Sequence, residues 1–169
     1  MAYIIPSDIT QLALAGGNTC ELETLQILKT KLPPDYTVFH GVHWSREYAG
    51  HTVYGEIDFV IVNRSGEVLL IEQKNGPLDE TANGLVKNYD DKSKNVGDQI
   101  KRSVDKIREK FKWIHREEGA LHLDYLIYCP DYRVKKLNSA ALDMSRVVDA
   151  NVKVGLCKKI EKILTPGEF

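Results

Sequence analysis

Apolar residues recur at helical spacing in three stretches of the chain, and each stretch predicts a helix. Leu25, Leu28 and Leu32 share one face of a helix over about 19–32, which two consecutive prolines end. A longer helix is predicted over about 96–116, where the apolar stripe comprises Ile100, Val104, Ile107, Phe111 and Ile114. A last helix is predicted over about 154–164.

Alternating or continuous apolar runs predict the strands between these helices. A first strand is expected over 36–43, a loop around 45–50, and then a hairpin within 55–74. A short extended piece is expected at 84–86, a strand over 123–129, and another short piece near Val147. The order of elements favours an α/β fold with a mixed central sheet of about four or five strands, flanked by helices.

The hairpin, GEIDFVIVNRSGEVLLIEQK, carries charged residues in otherwise apolar strands. Such strands are usually buried on both faces, where a charge is costly unless it is paired or binds a metal. Residues 63–66 fit a type I turn with Gly66 in the left-handed conformation, the usual three-residue loop with a bulge. In that register Asn63 faces Glu67, and counting outward places Asp58 opposite Glu72.

The same register places Glu56 opposite Lys74, and all four side chains share one face because strand side chains alternate. Directly opposed residues hold their Cβ atoms about 4.5–5.5 Å apart, so the carboxylates of Asp58 and Glu72 repel unless a cation lies between them. A two-residue loop at 65–66 would put Glu72 on the other face. The metal interpretation therefore depends on the longer loop.

Oxygen donors of this kind favour Mg²⁺ or Mn²⁺ over zinc. The candidate ligands are Asp58, Glu72 and the backbone carbonyl of Gln73, and Glu56 is a neighbouring carboxylate. Such a metal lowers the pKa of a bound water and stabilises charge on a phosphate. Lys74 could then act as a base or stabilise the phosphate as a cation, and the sequence leaves both roles open. A plain ion pair between Glu56 and Lys74 is the structural alternative.

Composition is that of an ordinary globular protein and predicts one domain over residues 1–169. No apolar run of about 18 residues occurs and the start of the chain does not resemble a secretory signal, so we expect a cytoplasmic protein without a membrane partner. Cys20, Cys129 and Cys157 form no CxxC pair, which fits reduced thiols. The sequence lacks a GxxxxGK[ST] phosphate loop and a GxSxG nucleophile elbow.

The net charge of −1 does not indicate a basic nucleic-acid binder, but the charge is unevenly distributed. Between residues 87 and 116, ten Lys and Arg residues stand against five Asp and Glu residues. This excess fits a solvated helix face and also a basic wall beside a phosphate-binding cleft. The candidate phosphate contacts are Lys87, Lys94, Lys101 and Arg102, and such contacts predict a steep loss of affinity with salt.

Two further residues are candidates for the same cleft. Glu21 lies on the apolar stripe of the first helix, one turn before Leu25, so it can reach the carboxylates or simply favour the positive end of its helix. Glu23 points about 160° away from Glu21 and leaves the stripe. Gln99 stands near the start of the long helix, where an exposed helix residue is the alternative interpretation.

Taken in order, these residues resemble the PD-(D/E)XK nuclease superfamily and, more narrowly, the nuclease-related domain (NERD) family. The matching pieces are Glu21 in CELETLQILKTKLP, GEID at 55–58, IEQKNG at 71–76, YDD at 89–91 and NVGDQ at 95–99. Gln73 departs from the pattern, because a small or β-branched apolar residue is commoner there. Its backbone carbonyl is unaffected by this difference.

The resemblance implies a restriction-endonuclease-like core and Mg²⁺- or Mn²⁺-dependent cleavage of phosphodiester bonds, with DNA expected ahead of RNA. It implies that Asp58 and Glu72 are metal ligands, that Lys74 is the catalytic lysine, and that Glu21 and Gln99 support the site. Such domains are often fused to helicases, so a helicase in the same chain or in a partner is implied. The ending TPGEF, without an evident closing element, fits the N-terminal part of a larger protein.

Two alternatives to an enzyme stay open at this point. The chain could be a non-catalytic nucleic-acid-binding module that keeps the fold and guides a helicase. It could also be a protein-interaction domain in which the carboxylates of Asp58 and Glu72 are structural. Metal-dependent cleavage and metal-induced stabilisation separate these alternatives from a nuclease.

Overall fold

The structure is a computed structural model and describes residues 1–9, 18–114, 121–135 and 142–168. The strands in this part are β1 (Tyr3–Ile5), β2 (Thr37–Tyr48), β3 (His51–Val62), β4 (Val68–Gln73), β5 (Asp79–Thr81), β6 (Gly84–Asn88), β7 (Ser93–Asn95), β8 (Leu123–Cys129) and β9 (Val147–Asp149). The helices are α1 (Thr19–Lys31), α2 (Val96–Ile114) and α3 (Leu156–Ile163). Short 3-10 turns occupy Met144–Arg146 and Lys153–Gly155.

The central sheet of the described chain has the strand order β1-β2-β3-β4-β8-β9. Strands β2, β3 and β4 are antiparallel neighbours, whereas β1 runs parallel to β2, β8 parallel to β4, and β9 parallel to β8. The predicted mixed sheet flanked by helices is confirmed, but it has six strands rather than four or five. The additional strand is β1, which is too short to produce a periodic pattern.

Helices cover both faces of the sheet, which explains why β4 is apolar throughout. Leu69 and Ile71 pack in one core together with α1 and α3. Leu70, the residue between them, packs in a second core together with α2. Side chains of β3 and β4 that point to the α2 side therefore lie on the same face as Leu70. Asp58 and Glu72 are among them.

The hairpin of β2 and β3 is longer than predicted. The expected loop at 45–50 is mostly strand, because β2 continues to Tyr48 and β3 begins at His51. The two residues between them, Ala49 and Gly50, have φ angles of 50° and 80°, the left-handed conformation that a tight hairpin turn requires. Strand β4 pairs with β3 only from Phe59 onward. The outer part of the hairpin, residues 43–56, therefore extends past β4, and we call it the arm.

The remaining elements complete the surroundings of the arm. Strands β5, β6 and β7 form a second, antiparallel sheet that leads directly into α2. The predicted long helix is confirmed from residue 96 to Ile114, and its expected end at 116 lies outside the described residues. The strand predicted over 123–129 is confirmed. Within the described chain, none of the helices is both long enough and apolar enough to cross a membrane.

Candidate active site

The turn between β3 and β4 sets the register that was predicted from sequence. Gly66 has a φ of 78°, and its N–H donates to the carbonyl of Asn63 over 3.2 Å. The Asn63 side-chain oxygen accepts from the N–H of Ser65 and of Glu67, at 3.0 and 2.9 Å, which holds the three-residue loop closed. Val62 consequently pairs with Val68, as the longer loop requires. The predicted register is confirmed.

Counting outward along this ladder places Asp58 opposite Glu72. The last backbone pair is Phe59 with Ile71. One residue further, the N–H of Gln73 donates to Oδ2 of Asp58 over 2.7 Å. The Asp58 carboxylate therefore accepts a backbone hydrogen bond just beyond the last backbone pair of β3 and β4. This contact fixes its position at the edge of the α2 face.

Glu72 and Lys74 form a buried ion pair on the same face. Oε1 of Glu72 lies 3.0 Å from Nζ of Lys74, and their side chains are 9% and 10% exposed. Glu56, which the sequence offered as the partner of Lys74, lies on the wall of the same cleft and is exposed. The direct partner of the lysine in this structure is Glu72.

The three groups perturb one another strongly because water is largely excluded. Burial, followed by the charge of Glu72, raises the pKa of Asp58 to about 8, against the opposing effect of the Gln73 hydrogen bond. Burial also raises the pKa of Glu72, although Lys74 acts in the opposite direction. A cation between these two carboxylates would be bound favourably, because it stabilises their charged forms.

Lys74 is held in its charged form. Burial alone lowers the pKa of this lysine, but the attraction of Glu72 and the hydrogen bond between them outweigh burial, so its pKa is raised. Tyr89 and Asp58 contribute in the same direction. Of the two roles that the sequence left open for Lys74, the structure therefore favours the cation over the neutral base.

Glu21 approaches the cluster from the opposite layer. Asn18 caps α1 by accepting from the N–H of Cys20, which leaves Glu21 in the first helical turn, 3.4 Å from Nε2 of His40. The charge of Glu21 raises the pKa of Asp58, so the two carboxylates are near each other. Glu21 does not line the cleft itself.

Gln73 has a structural reason for being polar where an apolar residue is commoner. Its side chain points away from the cleft, as predicted, and Nε2 donates to the carbonyl of Cys20 over 3.2 Å and to Oδ1 of Asn75 over 2.9 Å. This amide links the start of α1 to the end of β4. It thereby helps to hold Glu21 beside the carboxylates.

A cleft of about 620 Å³ opens above these groups on the α2 side. Its residues come from the arm, from the ends of β3 and β4, from β7 and the turn before it, and from the first turns of α2. They include Trp44, Tyr54, Glu56, Asp58, Glu72, Lys74, Tyr89, Lys94, Asp98, Gln99 and Arg102. Gln99 is thus in the cleft, as predicted. Its Oε1 is buried and has no hydrogen-bond partner within the described residues.

The four predicted phosphate contacts do not all reach the cleft. Lys94 and Arg102 line it. Lys87 instead donates from Nζ to the carbonyl of Asn75 over 2.6 Å, so its charge is engaged by the turn after β4. Lys101 is exposed on α2 but is not a lining residue. Of the four predicted phosphate contacts, two therefore line the cleft and two do not.

Two tyrosines of the cleft are residues that sequence reasoning missed. Tyr54 lies on the arm and Tyr89 at the tip of the β6–β7 hairpin, and both line the cleft. Trp44 pairs with Gly55 across the arm, and its indole lies so close that a Cβ on Gly55 would be 2.1 Å from it. Tyr54 could have been found from the sequence, because side chains alternate along β3 and residues 54 and 58 therefore share one face.

The donor set fits a hard divalent cation better than a closed metal cage. No group of three or more His, Cys, Asp or Glu side chains that could hold a metal ion occurs in the described part of the chain. Magnesium commonly takes one or two protein carboxylates and keeps several waters. Asp58, Glu72 and the backbone carbonyl of Gln73 satisfy that requirement, and a cation between the carboxylates would offset the repulsion that raises the pKa of Asp58.

Comparison with known proteins gives one family. The model of the family described as nuclease-related domain matches residues 16–130. A search of curated proteins found no match. Among solved structures, the crystal structure of protein VC1899 from Vibrio cholerae is similar, with 13% sequence identity and a TM-score of 0.45 over 85% of this chain and 33% of that one. The chain thus spans about a third of that protein's length.

Proposed function

Because the chain belongs to the nuclease-related domain family, we propose that it is a divalent-metal-dependent nuclease that hydrolyses phosphodiester bonds, with DNA as the substrate. The observation that carries the proposal is the convergence of Asp58, Glu72 and Lys74 on the floor of one cleft. A buried carboxylate and a buried cation beside a half-buried second carboxylate make folding less favourable, so their presence in one place points to a role in function. Such perturbed groups in a cleft are typical of active sites.

In this proposal Asp58, Glu72 and the Gln73 carbonyl hold Mg²⁺ or Mn²⁺. When bound, the metal supplies a water of lowered pKa and stabilises negative charge on the phosphate. Lys74, kept charged by Glu72 at 3.0 Å, donates a hydrogen bond to a phosphate oxygen as charge develops there. Glu21 and Glu56 add negative potential around the metal site, and Gln99 offers its unpaired Oε1 to the substrate or to a bound water.

The direct experiment is cleavage of end-labelled DNA by purified protein in Mn²⁺, in Mg²⁺ and in EDTA. We expect metal-dependent products from the wild-type protein and none from Asp58→Asn or Lys74→Met. A change of the exposed α3 residue, Lys158→Ala, is the matched control and should cut normally. Circular dichroism of each variant confirms folding. Equal cleavage by wild type and Lys74→Met would contradict the assigned site.

One observation favours a second candidate, a non-catalytic nucleic-acid-binding module. Glu72 already has a partner in Lys74, so one of the two carboxylates is neutralised without a metal. In that case the protein binds DNA but does not cut it in Mn²⁺, and its melting temperature does not rise with metal. The cleavage and melting experiments together separate the two candidates.

The proposal extends to a helicase, in the same chain or in a partner, as the source of the DNA. The support for this extension is the family resemblance alone. It predicts that cleavage by the purified domain is stimulated when a helicase unwinds the same substrate in the same reaction. A helicase that unwinds the DNA without changing the rate or position of cleavage would contradict it.

A further inference from the structure

Two exposed tyrosines face the cleft from separate elements. Tyr54 on the arm is 77% exposed and Tyr89 on the β6–β7 hairpin is 42% exposed. The core does not explain either ring, because large apolar groups gain stability only when they leave water. Both line the cleft that contains Asp58 and Lys74. Two aromatic faces are therefore presented to solvent directly beside the candidate reacting groups.

The neighbours of Tyr89 tie this ring to the site. Nζ of Lys94 lies 5.5 Å from the centre of the Tyr89 ring, a cation–π distance. Tyr89 also interacts electrostatically with Lys74. The N–H of Tyr89 donates to the carbonyl of Lys92 over 2.7 Å, which closes the tight turn that carries the ring. A base stacked on Tyr89 would therefore lie in the same cleft as Lys74 and close to the cation of Lys94.

The arm is braced at the position that presents Tyr54. Trp44 is 9% exposed and packs on the backbone of Gly55, the next residue along β3. Its Nε1–H is buried without a hydrogen-bond partner in the described part of the chain. Trp44 thus supports the wall from behind and leaves one donor unsatisfied beside the cleft. Buried donors of this kind usually have a partner, which can be a protein group or an ordered water.

Charge alone does not explain how the cleft would hold a nucleic acid. Its cations are Lys74, Lys94 and Arg102, and its carboxylates are Glu56, Asp58, Glu72 and Asp98. Outside the cluster of Asp58, Glu72 and Lys74, the described lining residues carry two positive and two negative charges, so the walls offer no net electrostatic attraction for a phosphate backbone. The cleft therefore depends on contacts that are not ionic, and stacking on aromatic rings is the strongest of those on its walls.

Stacking on side chains selects for unpaired bases. In a duplex both faces of each base are covered by neighbouring pairs, so an aromatic side chain has no face to stack on. The volume of the cleft, about 620 Å³, suits a few groups of nucleotide size. The bases of a purely double-stranded substrate could therefore not stack on Tyr54 or Tyr89.

We infer that the cleft binds an unpaired nucleic-acid strand, with Tyr54 and Tyr89 as base-stacking platforms beside the Asp58, Glu72 and Lys74 site. The inference rests on the proposed function, because it assigns the substrate class of the same site. Base–aromatic stacking is sequence-tolerant, so recognition is by strandedness rather than by base sequence. DNA and RNA strands share this chemistry, and the experiment below has an arm for each.

The test is binding of fluorescently labelled strands of about 12 nucleotides, measured by anisotropy in Ca²⁺, with a gel to show that the strand stays intact. Single-stranded DNA, single-stranded RNA and a blunt DNA duplex of the same sequence are compared. We expect one or both single strands to bind at least tenfold more tightly than the duplex. The stronger of the two single-stranded arms identifies the sugar that the site accepts.

Substitutions assign the effect to the two rings. Tyr54→Ala and Tyr89→Ala should each weaken binding of the single strand about 5- to 150-fold, while the Phe variants, which keep the ring, should bind within about threefold of wild type. Trp113→Ala removes an aromatic that is 72% exposed on α2 but lies outside the cleft, and should have no effect. Each replaced side chain is substantially exposed, so folding should be unaffected.

Salt dependence gives an independent readout. Among the described residues that line the cleft, Lys94 and Arg102 are the cations outside the buried pair, so a single strand should show a slope of log affinity against log salt of about −1.4 or shallower. That slope is about half of the value expected if the four predicted contacts, Lys87, Lys94, Lys101 and Arg102, all met phosphates. A slope near −2.8 would contradict the cleft described here.

Failure of this inference can be told apart from failure of the nuclease proposal. Duplex binding as tight as single-strand binding, or wild-type affinity in both Ala variants, overturns the inference even if the protein cuts DNA in Mn²⁺. Tyrosine-dependent binding of single strands without any cleavage in Mn²⁺ supports the inference and overturns the nuclease.

Discussion

The partial burial of Asp58, together with the charge of Glu72, makes a specific prediction about Asp58→Asn in metal-free protein. Asparagine keeps the shape of the side chain and an oxygen that can accept from the N–H of Gln73, now 2.7 Å from Oδ2. It removes the charge that burial and Glu72 disfavour. The variant should therefore be more stable than wild type at neutral and alkaline pH in EDTA.

The magnitude follows from the pKa of Asp58, which rises from 3.8 to about 8 on folding. A group whose pKa is raised by folding gives its full stability below the unfolded pKa and loses it as the pH rises through the folded pKa. Wild type should therefore lose unfolding free energy between about pH 4 and about pH 8. With a discount for residual contact with water, the loss is about 2–4 kcal/mol, or about 4–16 °C in melting temperature.

The assay is thermal unfolding followed by circular dichroism in EDTA, at several pH values across that window. Asp58→Asn should match wild type near pH 4 and melt higher near pH 8. Asp105→Asn, an exposed carboxylate on α2, is the control and should follow wild type throughout. Saturating Mn²⁺ should then raise the melting temperature of wild type more than that of Asp58→Asn. If Asp58→Asn melts at or below wild type near pH 8, burial and Glu72 do not disfavour the charge of Asp58 as described.

Three further substitutions test the packing around the site. Lys74→Met leaves a buried carboxylate without its partner and should lower the unfolding free energy by about 3–5 kcal/mol in urea titrations at neutral pH. Gly55→Ala forces a Cβ to within 2.1 Å of the Trp44 indole and should cost about 1–3 kcal/mol, with a changed tryptophan emission. Tyr36→Phe removes the 2.5 Å hydrogen bond from its hydroxyl to the Leu164 carbonyl, which should cost about 1–2 kcal/mol in the same titrations.

Each of these has a control within the chain. Glu72→Gln combined with Lys74→Met should recover part of the lost stability, because no buried charge is then left unpaired. Gly155→Ala places a Cβ where no atom lies within 4 Å, so it should be close to neutral. Tyr3→Phe changes a tyrosine that is 66% exposed and should have no effect. Effects of equal size in target and control would contradict the contacts described.

The sequence predicted the β3–β4 hairpin well because its register is a local property. Four residues, Asn63 to Gly66, determine the loop length, and the loop length determines which residues face each other across the strands. Once Val62 pairs with Val68, the positions of Asp58 and Glu72 follow by counting. The same holds for the helices with long apolar stripes, such as α2.

What the sequence could not predict depends on contacts between distant segments. Four basic residues near 87–102 have similar local surroundings, yet Nζ of Lys87 is taken by the carbonyl of Asn75, a residue from another element. The partner of Lys74 is Glu72, two residues earlier in the chain, rather than Glu56 across the hairpin. The arm was hidden because residues 45–50 include Gly50 and polar side chains that also suit a loop.

The central claim is that Asp58 and Glu72 together hold one divalent ion at the end of β3 and β4. The most direct measurement is an anomalous difference map from crystals of the protein soaked in Mn²⁺. The account predicts a peak within coordination distance of both carboxylates and of the Gln73 carbonyl, and no such peak in crystals of Asp58→Asn. A map without density between these carboxylates, at full Mn²⁺ occupancy elsewhere in the crystal, would contradict the claim.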